Sequence, residues 1–188
     1  MVRAVFLDRD GVINRKAPEG SYITRWAEVQ FLPGAVEAVG RIREAGFLVV
    51  VVSNQRAVAK GLVSNSELEL LHRRMSRELF RGGKGFDAIY YCPHEENPPC
   101  GCRKPQPGML LAAAQDRGID LAASWIVGDS ETDVQAGQRA GCRTIRICPP
   151  DVRYSTAADK VAESLSEAAK VILGSEIVGG GRGSNEFP

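Results

Sequence analysis

The sequence predicts an α/β fold, a doubly wound parallel sheet with helices on both faces. Three observations predict it. Short apolar runs alternate with amphipathic segments of helical period along the chain. Glycines stand just past three of the helical segments, at Gly46, Gly118 and Gly141. An acid or a hydroxyl directly follows three of the apolar runs, at Asp8, Ser53 and Asp129. The carboxyl edge of a parallel sheet, where strands end, is where such folds bind ligands.

Val2–Leu7 reads as the first strand, followed by a loop to Pro33. Ala35–Glu44 is an amphipathic helix, with Pro33 near its start and Gly46 just past its end. Phe47–Val52 is a continuous apolar run rich in β-branched residues, the pattern of a buried strand. Ser64-Asn65-Ser66-Glu67 is a capping box for a helix reaching about Phe80. Gly82-Gly83-Lys84-Gly85 breaks it before strand Ala88–Tyr91. Helix Met109–Arg117 then leads to strand Trp125–Val127, and helix Glu131–Ala140 to strand Arg143–Ile147. The C-terminal part has two readings. Either Ala158–Ala162 is a short strand and a helix runs from the capping box Ser164-Leu165-Ser166-Glu167 to about Leu173, or one helix spans Ala157 to Leu173. Residues 1–173 form one domain in either case. The glycine-rich stretch from Gly179 to Ser184 lacks apolar surface, so 174–188 is expected to be a flexible tail.

Bulk properties fit a soluble enzyme of cytoplasmic location. The 188 residues are long enough to bury a substantial core. Twenty-four basic and 23 acidic residues leave a formal net charge of +1, so no basic field favours nucleic acid or an anionic membrane as partner. The longest apolar run is far too short to span a bilayer, and no signal-type segment opens the chain. A monomer acting on a small molecule is the expectation. Five cysteines, an odd number, argue against a disulfide framework.

The pair Asp8-Arg9-Asp10-Gly11 suits phosphoryl transfer. One carboxylate can attack phosphorus and the other can move protons, while Mg²⁺ neutralises the oxygens between them. Taken singly, an acid after a strand more often just caps a helix. An acid pair, a hydroxyl and a further acid arriving together at one sheet edge are hard to explain by packing. No P-loop signature appears that would cradle a nucleoside triphosphate.

With Asp8-Arg9-Asp10-Gly11-Val12, Ser53-Asn54-Gln55, Lys104 in Cys102-Arg103-Lys104-Pro105, and Gly128-Asp129-Ser130-Glu131-Thr132-Asp133 in that order, the chain resembles the haloacid-dehalogenase-like phosphatases over roughly residues 3–150. The resemblance implies a Rossmann-like sheet, with Asp8 as the nucleophile that forms an aspartyl-phosphate. It implies that Asp10 protonates the leaving alcohol and then activates water. It makes Ser53 and Asn54 phosphate-binding residues, with Lys104 offsetting the phosphoryl charge. Asp129 would complete a Mg²⁺ shell with the Asp8 carboxylate and the Asp10 backbone carbonyl, a hard oxygen set. Asp133 either holds a metal-bound water or complements the helix dipole.

A second cluster, Cys92-Pro93-His94 and Cys100-Gly101-Cys102, offers three thiolates and one imidazole within eleven residues. That is a closed tetrahedral shell for Zn²⁺ with no position left for water, hence a structural site. The alternatives are incidental thiols or a Cys100/Cys102 redox pair, although such a short loop strains a disulfide. His72, the only other histidine, sits on a predicted helix and reads as a surface residue. The run Cys-Pro-His-x5-Cys-Gly-Cys-Arg-Lys-Pro resembles a zinc-loop subfamily that includes heptose-bisphosphate and histidinol-phosphate phosphatases. There the loop orients an Arg-Lys pair that reads the substrate, here Arg103 and Lys104. Gly11-Val12-Ile13-Asn14, Phe31-Leu32-Pro33-Gly34 and Lys104-Pro105-Gln106-Pro107-Gly108-Met109 lie nearer the heptose branch, so the implied substrate is the 7-phosphate of a heptose 1,7-bisphosphate. Two departures touch the rim: Arg56-Ala57-Val58-Ala59-Lys60-Gly61 after the Asn-Gln, and Ser130 where a basic residue is usual.

The intervals between motifs leave no room for a cap domain, so loops must supply specificity. Arg15, Lys16, Arg56, Lys60 and Arg103 on those loops are either solvated charges or contacts to a second anionic group. A polynucleotide phosphatase is disfavoured by the near-zero net charge. A zinc-stabilised binding module on a degenerate phosphatase fold is the non-enzymatic alternative, and the intact acid, hydroxyl and lysine set argues against it.

Overall fold

The computed structural model describes residues 1–79, 85–150 and 155–179. Six parallel strands form one sheet in the order β3-β2-β1-β4-β5-β6, where β1 is Ala4–Leu7, β2 Leu48–Asn54, β3 Ala88–Cys92, β4 Trp125–Gly128, β5 Arg143–Ile147 and β6 Lys160–Ala162. The chain winds outward from β1 to β3, returns to the centre, and winds outward again from β4 to β6. The reversal falls between β1 and β4, and a crevice opens at the carboxyl ends of strands at such a switch point.

Alternation along the strands fixes the two faces. Val5, Leu7, Val49, Val51, Trp125 and Val127 point to one side, toward helices α1 (Ala35–Glu44), α2 (Asn65–Leu79) and α5 (Leu165–Gly179). Ala4, Phe6, Val50, Val52 and Ile126 point to the other, toward α3 (Gly108–Arg117) and α4 (Glu131–Ala140). Both faces of the central strands are therefore apolar, which is why β2 reads as an unbroken hydrophobic run.

Caps set the helix starts. In α2 the Glu67 N–H donates to Ser64 Oγ at 3.2 Å and the Ser64 N–H to Glu67 Oε2 at 2.9 Å. The C-terminal part takes the strand-then-helix form. α5 runs on to Gly179, past the expected end at Leu173, and residues 180–188 of the expected tail lie outside the described residues. The long loop after β1 contains one short 3₁₀ turn, Trp26–Glu28. Between β1 and β2, and between β2 and β3, the described residues hold only that turn, α1 and α2, so no cap domain covers the sheet edge.

Candidate active site

β1 and β4 run in register through Leu7 and Val127, so Asp8 stands level with Gly128 and Asp129 follows one residue beyond it on the adjacent strand. The Asp8 N–H donates to the Val127 carbonyl at 3.0 Å, which extends the pairing by one residue and fixes the Asp8 backbone. β2 ends one strand away at Ser53 and Asn54. A cleft of about 570 Å³ opens at this edge, and Asp8, Asp10, Ser53, Asn54, Arg103, Lys104 and Asp129 all line it. Gly11 makes the close approach possible. Its φ of +94° suits glycine, and a Cβ there would stand 2.1 Å from Asp129 Oδ2.

Lys104 reaches the site from the loop before α3 and is only 3% exposed. Its ammonium donates to Asp8 Oδ1 and to the Val52 carbonyl, both at 2.8 Å, and lies 2.5 Å from Asp133 Oδ1. Two of its N–H groups thus find acceptors, while the contact with Asp133 is an ion pair whose Oδ1 accepts no hydrogen bond among the described residues. Burial works against its charge, but Asp133 and Asp8 outweigh that and hold the lysine above its ordinary range. Asp8 shows the opposite balance. Burial pushes its carboxyl up to about 7 against the pull of Lys104, and Asp133, Asp129 and Asp10 add to the rise. Asp129 is also raised, chiefly by burial, while Lys16 at 2.6 Å opposes the shift.

The acids of Asp8, Asp129 and Asp133 bring ligand oxygens within 4.8 Å of one another. Asp129 Oδ1 is buried with no hydrogen-bond partner among the described residues. Orphaned buried oxygen, crowded carboxylates and raised carboxyl pKa values all describe a site short of positive charge. A small dication bound by oxygen fits that shortage. Asp133 divides its carboxylate: Oδ2 accepts from the Ser130 N–H and hydroxyl in the α4 capping box, and Oδ1 faces Lys104.

Asp10 is held from several sides. The Arg9 guanidinium grips it side-on, with Nη2 2.7 Å from Oδ2 and Nε 3.1 Å from each oxygen. Asn14 Nδ2 donates to Oδ1 at 2.8 Å and Gln55 Nε2 to Oδ2 at 3.2 Å. Gln55 also donates to Ser53 Oγ at 2.9 Å and so ties the hydroxyl to the second acid. Asn54 commits both ends of its amide to the Lys104 backbone, each at 3.0 Å, and so fixes where that lysine starts. The sequence alone assigns no role to Arg9, Asn14 or Gln55. The signal for Arg9 was its place between two acids immediately after a buried strand, where a charge has to be paired.

His72 is a correction. It is 3% exposed rather than a surface residue, with its ring edge-on to Tyr91 and Nε2 3.2 Å from Arg9 Nη1. Burial, helped by Arg9, pushes its imidazolium down to about 3.

Cys92, His94, Cys100 and Cys102 close into a ring beyond Arg103. Successive contacts are 3.5 Å for Cys92 to Cys100, 3.4 Å for Cys100 to Cys102, 3.3 Å for Cys102 to His94 Nδ1 and 3.6 Å back to Cys92. All are too long for an S–S bond, and all five cysteines are free thiols. Metal bonds of about 2.3 Å to sulfur and about 2.0 Å to nitrogen give tetrahedral edges of roughly 3.5–3.8 Å, so the ring fits a closed four-coordinate shell. Burial opposes the Cys100 thiolate, but the Arg103 N–H and the neighbouring ligand groups lower it to about 6.

The rim cations sort themselves. Arg103 lines the cleft, anchored to the His94 carbonyl and to Glu96, each at 3.3 Å. Lys16 lines it too, on Asp129. Arg56 is paired with Glu95 and Lys60 lies over the Tyr22 ring, and neither lines the cleft. Arg15 borders a neighbouring depression.

Comparison with known proteins agrees with this geometry. A HAD-hydrolase-like family model matches residues 101–168. D-glycero-β-D-manno-heptose-1,7-bisphosphate 7-phosphatase of Yersinia pestis is 37% identical, covering 91% of this chain and 95% of that protein. The D-glycero-α-D-manno-heptose-1,7-bisphosphate 7-phosphatase of Burkholderia mallei is 38% identical, covering 92% and 94%. The crystal structure of D,D-heptose 1,7-bisphosphate phosphatase from B. bronchiseptica, complexed with magnesium and phosphate, superposes with a TM-score of 0.80 at 34% identity, covering 92% of this chain and 99% of that one. The strand-end acids, the buried lysine and these likenesses agree: the chain is a phosphatase and belongs to the heptose-1,7-bisphosphate 7-phosphatase family of HAD-like hydrolases.

Proposed function

We propose that the chain removes the 7-phosphate of D-glycero-D-manno-heptose 1,7-bisphosphate through an aspartyl-phosphate on Asp8. One observation carries the reading. The Asp8 carboxylate sits at the sheet's switch point, 2.8 Å from a buried lysine and beside an Asp129 oxygen that has no partner among the described residues. In the proposed sequence an Asp8 oxygen attacks phosphorus while Lys104 and the Ser53 hydroxyl hold the phosphoryl oxygens. Asp10 gives its proton to the departing alcohol and later takes one from the water that hydrolyses the acyl phosphate. Mg²⁺, held by the Asp8 and Asp129 carboxylates and the Asp10 carbonyl, would supply the charge neutralisation that this acid-rich site lacks. Steady-state kinetics on both heptose bisphosphate anomers, fructose bisphosphate and histidinol phosphate test the substrate. A higher kcat/KM for histidinol phosphate would overturn it.

Arg103 is proposed to receive the C1 phosphate, because a guanidinium meets phosphate through a two-pronged fork. Glu96 on its outer side is 66% exposed, so an incoming anion displaces a weak surface contact. Arg103→Ala should cost about 1.5–3 kcal/mol in kcat/KM for the bisphosphate. A monophosphate of similar size should lose much less. Equal losses for both would remove Arg103 from C1-phosphate recognition.

Zn²⁺ is proposed for the Cys92/His94/Cys100/Cys102 ring, in a structural role. The ring and Arg103 share one loop, so metal binding should appear as order at the rim. Protein purified without added metal should carry about one equivalent of zinc by elemental analysis. Cys100→Ser should lower that content and weaken bisphosphate binding. Full activity with only a trace of zinc would end the idea.

A further inference from the structure

Among the described residues Arg9 is the largest fully buried side chain, at 1% exposure, and nothing in the chemistry proposed above uses it. Its five N–H donors are distributed with a definite sense. Nε and Nη2 face the Asp10 carboxylate side-on, Nη2 also approaches the Ile23 carbonyl at 3.4 Å, and Nη1 points away from the cleft to His72 Nε2. A guanidinium has no acceptor, so this last contact requires a lone pair on Nε2 and a neutral ring. The imidazole is fixed in turn by its burial on α2 and its edge-on contact with Tyr91 of β3. A continuous path of packed, polar-matched groups thus runs from the core to the Asp10 carboxyl plane.

We infer that Arg9, backed by His72, is a positioning residue that fixes the plane of the Asp10 carboxyl group for proton transfer. The inference rests on the reading of Asp10 as proton donor. When an Asp8 oxygen bonds to phosphorus and the ester P–O bond breaks, the electron pair stays on the departing oxygen, which takes the Asp10 proton. Asp10 is left as a carboxylate, the form that Arg9 pairs with and the form that then accepts a proton from water. A carboxyl on a single-bonded stem rotates freely unless both oxygens are engaged. The planar Arg9 fork, with Asn14 and Gln55 at the outer lone pairs, removes that freedom. A lysine retains the charge but has no fork, so it cannot set the plane.

The test compares kcat/KM for an alkyl phosphate, the preferred sugar phosphate, with that for p-nitrophenyl phosphate, whose phenolate departs without needing a proton. Damage to the fold, to Mg²⁺ binding or to Asp8 lowers both esters together, whereas loss of proton delivery slows the alkyl ester selectively. Asp10→Asn is measured first and should show that selectivity. Arg9→Lys should lose at least about tenfold more on the alkyl than on the aryl ester. His72→Leu, which removes the acceptor behind the guanidinium, should show a smaller loss in the same sense. His72→Gln, which keeps an acceptor toward Arg9, should recover most of it. The His72 pair decides the matter if circular dichroism shows Arg9→Lys unfolded. Equal losses on both esters, with Asp10→Asn still selective, would overturn the role of Arg9. An Asp10→Asn variant without selectivity would instead overturn the reading of Asp10.

Discussion

Replacing Asp8 by asparagine is expected to lower turnover by on the order of 10⁴-fold or more while leaving the protein folded. The amide keeps the shape and the acceptor oxygen that Lys104 needs at 2.8 Å, but it cannot form a hydrolysable acyl phosphate. Stability and activity should move apart. Burial and the carboxylates of Asp133, Asp129 and Asp10 all raise Asp8, so in the metal-free protein its ionisation is disfavoured. A neutral amide removes that burden, and the thermal midpoint without Mg²⁺ should hold or rise. Turnover on the preferred sugar phosphate and a melting curve with and without Mg²⁺ make the measurement. Near-parental turnover in Asp8→Asn would exclude Asp8 as the nucleophile.

Asp8 and Asp129 were legible as candidates because each stands one step beyond a strand whose apolar run ends abruptly. Helices α1 and α4 and strand β5 match their predicted bounds for a similar reason, since a glycine or proline marks the nearby boundary. What the sequence concealed is non-local. β2 continues through Ser53 and Asn54 because these pair with Tyr91 and Cys92 of β3, although polar side chains end its hydrophobic pattern. His72 lies in a run of leucines and arginines that gives no hint of its partner, which stands 63 residues earlier in the chain. Arg9 is the same case from the other end. Buried charges are invisible to periodicity, because what makes them tolerable is a partner brought by topology. The rim was the hardest part, since only contacts separate Arg103, which lines the cleft, from Arg56, which is spent on Glu95.

Lys104→Met should be the most damaging substitution for stability. In the metal-free protein it removes the one buried cation between Asp8 and Asp133, which it contacts at 2.8 and 2.5 Å, and it leaves the Val52 carbonyl without its donor. Breaking a buried ion pair from one side typically costs about 3–5 kcal/mol, and here the loss falls on the pair with Asp133, because Asp8, already pushed up to about 7, can take up a proton instead. Lys104 also fixes the site's charge balance, so activity should fall on every phosphate ester, alkyl or aryl, mono- or bisphosphate. That sets it apart from the selective losses expected for Arg103→Ala and Arg9→Lys. Mg²⁺ should return more stability to Lys104→Met than to the parent. With the ammonium gone, the carboxylates around the buried Asp129 oxygen attract a dication more strongly, and binding to the folded state adds directly to its stability. Urea unfolding at several Mg²⁺ concentrations reads both effects. A variant as stable as the parent in chelator would mean that Lys104 does not compensate the acids around it, and the electrostatic account of the site would fail with it.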